Sequence, residues 1–434
     1  MSRNRLIGVA ASATLLLTIF IVLPGIGADE RERSARESLY RPLGLFTEVL
    51  SLVRGNYVEE VDPKSLLEGA FSGMAEAMDP FSEYVPPEKM AAWSKYQAAL
   101  SKERPELGIV FARRMNYPVV VAPIAGSPSA AAGLMNDDLI EKIDERPARG
   151  LALWEVEALL QGKPGGHVRL LVVRDGKPRR RLIDIVRGSW EPAAPSASRS
   201  GSETVVKIPS FGPGTASALR EILAPLDRAR PLVLDLRENA WGSYDEAART
   251  AALFVPPGPL GELKGRKIAS KSFRAEPGER AHESRLVLVV DSGTAGPAEL
   301  FTSAVSERLN KTDVASGGKS QKSESGGEED EFPDEAAPPP SSGWNGRWVR
   351  VVGEPTVGMG FVQETVRLQS GGSLKLSVGK IHTMSGHVLS PKGIYPDDRV
   401  YHIPVDETAP GPPFDPFLDR ALKILSESRP KAAA

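Results

Sequence analysis

The chain has 434 residues, which exceeds the size of one ordinary core and suggests two or three domains. Its 54 lysine and arginine residues nearly balance its 56 aspartate and glutamate residues, so we expect no surface for nucleic acid. The absence of cysteine excludes disulfides, thiol catalysis and thiolate zinc sites, and the five histidines show no metal-ligand spacing. We therefore expect neither a metal ion nor another cofactor.

Residues 1–28 have the pattern of a targeting segment. Arg3 and Arg5 precede an apolar run from Leu6 to Leu23, and a charged stretch begins at Asp29. The run is long enough to span a bilayer, while the small residues after it also permit cleavage, so both a cleaved export signal and a retained anchor stay open. In either case the positive end stays in the cytoplasm and the rest of the chain is exported. We expect the protein in the periplasm, either free or anchored in the inner membrane through Leu6–Leu23.

Helical and β-rich regions follow in order. Apolar residues recur at helical spacing up to Met78, and Asp62-Pro63 indicates the start of a second helix, so 29–97 is predicted to be a helical N-terminal region. In 98–189, short β-branched runs alternate with Gly, Pro and Asp turns around one helix, Leu153–Leu160, which predicts a compact, mostly β domain. A linker rich in Ala, Ser and Pro is expected at 190–202.

From 203 to 405 the chain alternates strands and helices. The strand-like runs Leu232–Leu236 and Leu286–Val290 each precede a helical segment, around Asp245–Phe254 and Ala298–Leu309. This alternation predicts an α/β core with a buried, largely parallel sheet. The hydrophilic insertion 311–346 is expected to be a disordered surface loop, and 406–434 to be a tail with one amphipathic helix. The fold class is thus a mixed α/β chain of several domains.

Several landmarks in this order resemble the carboxyl-terminal processing, or tail-specific, serine peptidases. They are the turn 79–84, the segments 106–109, 127–134, 138–144 and 162–165, and the stretches 234–242 and 385–397. The resemblance covers roughly residues 38 to 403. It implies a helical N-terminal region, a PDZ domain and a tail-specific protease-like core.

The PDZ resemblance implies a binding site for peptide C-termini. In such domains a peptide lies beside a strand and its carboxylate meets backbone amides, here around Glu106, Leu107, Gly108 and Ile109. The implied partners are the C-terminal tails of other envelope proteins. A PDZ domain that serves only for intramolecular packing stays open as the alternative.

The resemblance fails at the catalytic positions. Where family members carry Gly-Ser-Ala-Ser-Ala-Ser-Glu, this chain has Gly293–Glu299, which places Gly296 at the nucleophile position. Met359 stands at the position of the basic lysine, and only Gln363, which orients that lysine in the family, remains. Glycine offers no attacking atom and methionine accepts no proton, so the resemblance implies a peptidase fold without its chemistry.

The oxyanion region also departs from the family. The implied donors are near Gly242 and at the residue after the nucleophile, which here is Pro297 and has no N–H. The stretch Leu234–Gly242 differs from the family pattern at Ala240 and Trp241. Gly296 suits an N-cap and Pro297 the first helical turn, so an ordinary helix start is expected there.

We therefore expect a catalytically inactive protein that binds peptide C-termini, and two other functions stay open. The first is an active endopeptidase with a relocated dyad of Ser292 or Thr294 with a later lysine, either Lys375, Lys380 or Lys392. The second is a regulatory or assembly partner of an active relative. The sequence predicts no particular oligomeric state.

Overall fold

The structure is a computed structural model that describes residues 41–99, 105–175, 179–314, 348–402 and 414–427. The chain divides into two compact units, one that ends at Met74 and one that begins at Ala75. Helix α1 covers 41–56, and α2 (Pro63–Met78) begins where the sequence predicts it. The Asp62 carboxylate caps α2, because it accepts hydrogen bonds from the backbone N–H groups of Lys64 and Ser65. The predicted helical N-terminal region is thus confirmed.

The helices that follow are α3 (Met90–Ala99), α4 (Pro128–Ala131), α5 (Leu153–Leu160), α6 (Thr215–Leu223), α7 (Tyr244–Ala251), α8 (Pro297–Val314) and α9 (Pro416–Glu427). The strands are β1 (Glu83–Val85), β2 (Ile109–Arg114), β3 (Tyr117–Pro123), β4 (Leu139–Ile143), β5 (Arg146–Pro147), β6 (His167–Val173), β7 (Arg180–Val186), β8 (Ser196–Ser200), β9 (Glu203–Lys207), β10 (Leu232–Asp235), β11 (Gly258–Gly265), β12 (Lys271–Ala275), β13 (Leu286–Val290), β14 (Val349–Gly353), β15 (Phe361–Arg367), β16 (Ser373–His382) and β17 (Asp398–Arg399).

The predicted β domain is an antiparallel sheet. Its strand order is β2-β3-β4-β6-β7, and the short β5 pairs with β4. Alternate side chains of β6, those of Val168, Leu170 and Val172, are buried because a strand points successive residues to opposite faces. Helix α5 packs against β2 and β4. Within the described residues β2 is an edge strand, so one side of its backbone carries no neighbouring strand.

The core contains the predicted parallel sheet. Its order is β17-β14-β13-β10-β9-β8, and every pair is parallel except β8 with β9. The central strand β13 is buried along its whole length, as expected for a sheet covered on both faces. Helices α6, α7 and α8 contribute to the apolar cluster on one face, and α9 covers the other face through side chains such as Phe417 and Ile424.

A second, antiparallel sheet was not predicted. It joins β1, β16, β11 and β12 in that order, and β15 pairs with β16. Strand β15 is half-buried at its start and exposed over its second half, so it lacks the apolar run by which the parallel strands were recognised. The pairing of β1 with β16 brings the chain just before the PDZ-like domain onto the core.

Two predictions about connecting segments were wrong in part. The predicted linker 190–202 contains β8, which extends the core sheet as an antiparallel edge strand. Helix α8 continues to Val314, so residues 311–314 belong to it rather than to the insertion. The rest of the predicted insertion and the targeting segment 1–28 lie outside the described residues. No helix in the described ranges is long and apolar enough to cross a bilayer.

Candidate peptidase site and peptide groove

The family nucleophile position lies directly before helix α8. Gly296 has a left-handed backbone with φ of 56°, and α8 begins at Pro297. The Gly296 carbonyl accepts hydrogen bonds from the N–H groups of Glu299 and Leu300, so Gly296 stands at the N-cap position as expected, with left-handed backbone angles in place of the extended angles of most N-cap residues. A Cβ atom at this position would lie 3.7 Å from both Met359 O and Tyr244 Oη. A side chain at Gly296 would therefore meet the segment that carries the family base.

A buried carboxylate joins these two segments. Glu299 Oε2 accepts hydrogen bonds from the N–H groups of Gly296 and Met359, both at 2.8 Å. Its Oε1 accepts from Gly358 N at 2.6 Å and Thr356 Oγ1 at 2.5 Å. Burial raises the pKa of Glu299 to about 7, while the four donors favour its ionised form. Glu299 therefore fixes the distance between the two family positions.

Tyr244 holds the same segment from the other side. Its Oη lies 2.9 Å from Met359 O and 3.2 Å from Phe361 O, and the two carbonyls share its single proton in a bifurcated hydrogen bond. Burial raises the pKa of Tyr244, so its hydroxyl stays protonated. The half-buried Met359 side chain packs against the apolar cluster of the PDZ-like domain. The base position is thus rigid in its backbone and apolar in its side chain.

Gln363, the retained family residue, binds a different group. Its Nε2 donates to Phe81 O at 2.7 Å, and the ring centroids of Phe81 and Phe361 lie 4.7 Å apart. The glutamine therefore fastens β15 to the turn that precedes the PDZ-like domain.

The expected oxyanion region is shaped by close backbone contacts. Gly242 has φ of 132°, and a Cβ there would lie 2.2 Å from the carbonyl carbon and oxygen of Phe211, so only glycine fits. The Trp241 ring covers Gly212, whose Cβ would lie 2.7 Å from Trp241 Cζ3. The large ring that replaces a family glycine thus lies on the 210–212 loop. Pro297 has no N–H to offer.

The serine and threonine hydroxyls nearest in sequence to the family nucleophile have other partners. Ser292 Oγ lies 3.1–3.3 Å from three acceptors, Asn136 Oδ1, Asp137 Oδ2 and Glu354 Oε2, and donates its single proton among them. Thr294 is buried and donates to Leu236 O at 2.9 Å. Thr294 Oγ1 also accepts a hydrogen bond from the Asp291 N–H at 3.0 Å, and among the described residues no lysine is a hydrogen-bond partner of either hydroxyl. The geometry therefore does not favour a relocated serine–lysine dyad.

The expected carboxylate-binding residues precede the edge strand β2. Leu107, Gly108 and Ile109 are buried, and the Gly108 N–H donates to Pro105 O at 3.1 Å. Trp190, the first residue of the predicted linker, donates from Nε1 to Glu106 O at 2.9 Å and so holds this loop in place. One of the four expected amides is thus already engaged. The loop belongs to the PDZ-like sheet, whereas Gly296 and Met359 belong to the core.

A cavity of about 220 Å³ lies between the PDZ-like sheet and the core. Ala112, Val119 and Val121 line it on the sheet side, and Val357 and Gly358 line it on the core side. It is largely apolar and lies next to the base position. Among the described residues no group of three or more His, Cys, Asp or Glu side chains could hold a metal ion.

Comparison with known proteins identifies the family. A profile for peptidase family S41 matches residues 204–336 and 345–400, and a PDZ domain profile matches 119–174. Together with the relatives described below, these matches support the carboxyl-terminal processing protease family for this chain. A profile for the N-terminal domain of the activating protease CtpB also matches 27–89. The family resemblance seen in the sequence is thus confirmed.

Relatives in this family are similar over most of the chain. The carboxy-terminal-processing protease of Bartonella bacilliformis is 26% identical over 368 residues, which cover 83% of this chain and 75% of the relative. The carboxy-terminal processing protease CtpA of Bacillus subtilis is 26% identical over 394 residues, which cover 89% and 74%. The photosystem II D1 C-terminal processing protease has the same fold, with a TM-score of 0.56 at 20% identity over 82% of this chain and 92% of that one.

Sequence reasoning did not assign roles to Tyr244 and Glu299. A glutamate three residues after a predicted helix cap is a recognisable capping signal, so Glu299 could have been found in part. No local pattern marks Tyr244, because its partner Met359 is 115 positions away in the sequence.

Proposed function

We propose that this protein is a non-catalytic member of the carboxyl-terminal processing proteases that binds the C-termini of other proteins. One observation carries the proposal: the helix start at the nucleophile position consists of Gly296 and Pro297. The first lacks an attacking atom and the second lacks an oxyanion donor. Removal of a catalytic nucleophile costs on the order of a million-fold in rate, which brings hydrolysis close to the uncatalysed level.

The base position supports the same conclusion. Met359 cannot take a proton, and its backbone is held by Glu299 on the N–H side and by Tyr244 on the carbonyl side. These contacts keep the former catalytic segment in place as part of the scaffold. The residues at the two catalytic positions, Gly296 and Met359, are therefore compatible with a stable peptidase fold that no longer catalyses hydrolysis.

The PDZ domain supplies the proposed binding function. Strand β2 is an edge strand among the described residues, so a peptide can pair with its backbone. The N–H groups of Glu106, Leu107 and Ile109 are the proposed carboxylate ligands, while that of Gly108 is engaged in the loop. The apolar cluster behind β2 and α5 favours tails with an apolar last residue.

The proposed partners are tails of envelope proteins, because the N-terminal segment favours export. Arg3, Arg5 and the run Leu6–Leu23 have the order of charge and apolar residues that directs a chain across a membrane. A fusion of alkaline phosphatase after Asp29 should be active in the periplasm, and fractionation would then separate a cleaved signal from a retained anchor. An inactive phosphatase would contradict export.

Peptide binding and digestion test the central proposal. A labelled decapeptide with a free C-terminal valine should bind, and its C-terminal amide should bind roughly tenfold more weakly, because the amide lacks the charge that the loop N–H groups recognise. Casein should remain intact over the same period. Equal binding of acid and amide would refute carboxylate recognition, and casein cleavage abolished by Ser292→Ala would refute the loss of catalysis.

A further inference from the structure

The peptide groove of the PDZ domain has two walls that come from different elements. One wall is the edge strand β2, and the other is α5, which packs against it. Ile109, Phe111 and Arg113 are alternate residues of β2, and alternate residues of a strand face the same side. Ile109 and Phe111 belong to the apolar cluster that also contains Leu153 and Val156 of α5. Arg113 is thus the polar residue at the end of the β2 wall.

One buried carboxylate contacts both walls at that end. Glu83 is 3% exposed, and its Oε1 accepts a hydrogen bond from the N–H of Leu153, the first residue of α5. The same oxygen lies 3.4 Å from Arg113 Nη2. Arg113 Nη2 also lies 3.4 Å from Leu151 O, in the loop that leads into α5. The other terminal nitrogen of Arg113, Nη1, pairs with Glu76 of α2. Arg113 and Glu83 therefore form a polar bridge from β2 to the start of α5.

The bridge is also attached to the core. Glu83 lies on β1 opposite Lys375 of β16, and Lys375 Nζ lies 3.8 Å from Glu83 Oε2. Two residues earlier, Phe81 is buried in the PDZ cluster, and its carbonyl accepts a hydrogen bond from Gln363. Burial raises the pKa of Glu83, which is consistent with a carboxylate that is held away from solvent. The bridge thus belongs to a segment that the core holds in place.

We propose that the bridge of Arg113 and Glu83 closes the upstream end of the peptide groove, so that the groove accepts only the last few residues of a tail. This inference rests on the proposed peptide binding and adds a limit on the length of the bound tail. From Ile109 to Arg113 the strand spans about 13 Å, at roughly 3.3 Å per residue, which accommodates about four peptide residues. A longer tail must break the bridge before it can pair further along β2.

The experiment compares a tetrapeptide and a decapeptide with the same last four residues, both labelled and ending in a free valine. The full-length wild type should bind the two peptides with affinities within about twofold of each other. Glu83→Gln removes the charge that links Arg113 to the start of α5, although Arg113 keeps its pair with Glu76. The variant should therefore bind the decapeptide roughly tenfold more tightly and the tetrapeptide unchanged, because one or two added backbone hydrogen bonds have about this effect.

Glu141→Gln is the matched control. Glu141 is a PDZ carboxylate that pairs with Arg180 of β7, on the far side of the sheet from β2. This variant should behave as wild type with both peptides. A wild type that already prefers the decapeptide by tenfold would overturn the proposal. A Glu83→Gln variant that weakens both peptides equally would also overturn it, because such a loss shows only structural support.

Amide hydrogen exchange keeps the bridge testable without a ligand. In Glu83→Gln the amides of Leu153 and of the β2 residues near Arg113 should exchange several-fold faster than in the wild type, and those of β7 should not change. If no peptide binds any variant, the proposed function fails. Amide hydrogen exchange alone then tests whether the bridge of Arg113 and Glu83 holds the two walls together. Unchanged exchange at both walls would then overturn it.

Discussion

The PDZ domain and the family's catalytic positions differ in what binding and catalysis require. In the PDZ domain, the proposed recognition depends on backbone groups of β2 and of the loop before it, and these groups are present whatever the side chains are. At the catalytic site, the reaction depends on two side chains, and Gly296 and Met359 supply neither.

On the proposed loss of catalysis, this difference explains how the surroundings of the site persist. Glu299, Tyr244 and Gln363 still tie the helix start, the base segment and the 79–84 turn together. These contacts stabilise the fold whether or not the chemistry is present. A binding function built on backbone groups in the same fold is therefore less sensitive to substitution than catalysis.

The largest expected effect is the return of catalysis. Gly296→Ser with Met359→Lys should raise cleavage of unfolded casein roughly a thousand-fold above the wild type, since each side chain alone lacks its partner. A Cβ fits at Gly296, although its left-handed backbone costs a serine about 1 kcal/mol. The apolar surroundings of Met359 should lower the pKa of a lysine there and make it a better base.

Four proteins at equal folded concentration test this expectation: the wild type, the two single variants and the double variant. Adding Pro297→Ala should increase the rate further, because it returns one oxyanion donor. Activity in a single variant equal to that of the double variant would contradict the dyad. If the wild type cleaves casein and this activity depends on Ser292, catalysis has not been lost, and the contrast drawn between the PDZ domain and the catalytic positions is wrong.

The next largest effect concerns the retained Asp-Leu-Arg segment of the core. Arg237 binds Asp235 and Asp415 through both oxygens of each carboxylate and lies over the Phe417 ring of α9. Arg237→Met should lower the free energy of unfolding by about 3 kcal/mol, because it removes the cation shared by two carboxylates and leaves the buried Asp235 with Lys207 as its remaining ion pair.

Urea denaturation at neutral pH measures this loss. Lys423→Met is the control, because Lys423 pairs with Asp419 on the exposed side of α9 and should contribute only about 0.5 kcal/mol. Similar losses of unfolding free energy in the two variants would show that Arg237 contributes no more than a surface salt bridge and does not hold α9 against the core.

A smaller effect is the pH dependence of the Glu299 contact. Because burial raises its pKa to about 7 from 4.5, the folded protein binds this proton more tightly than the unfolded chain. The resulting stabilisation is fully present below pH 4.5 and is lost as the pH rises through 7. The wild type should therefore lose about 2 kcal/mol from this group between pH 5 and pH 7.5.

Urea denaturation of wild type and Glu299→Gln at both pH values isolates this contribution. The difference in unfolding free energy between them should be larger at pH 5. A difference that does not change with pH would mean that Glu299 stays ionised throughout and that its four donors outweigh its burial.

The smallest effect is expected in the PDZ loop. Trp190→Phe removes the hydrogen bond to Glu106 O and keeps much of the ring over Gly108, so it should cost about 1 kcal/mol. It should also weaken binding of the free-valine peptide. Trp348→Phe, at a partly exposed tryptophan of the core, should leave peptide binding unchanged. If Trp190→Phe binds the free-valine peptide as the wild type does, Trp190 does not contribute to recognition of the carboxylate.

The sequence by itself determined the elements whose signals are local. The alternation in β6, the apolar run of β13 and the start of α2 at Asp62-Pro63 can each be recognised within a few residues, since periodicity and capping depend on near neighbours. The substitutions at Gly296 and Met359 are equally visible, because they are differences in single letters of recognised motifs.

Only the tertiary structure decided which distant groups meet. Strand β15 is too polar for a local signal and becomes a strand through its pairing with β16. Tyr244 meets the carbonyl of Met359, and Glu83 meets Arg113, across 115 and 30 positions of sequence. The physical reason is that such contacts depend on how whole sheets and helices pack, and no pattern within either segment specifies its partner.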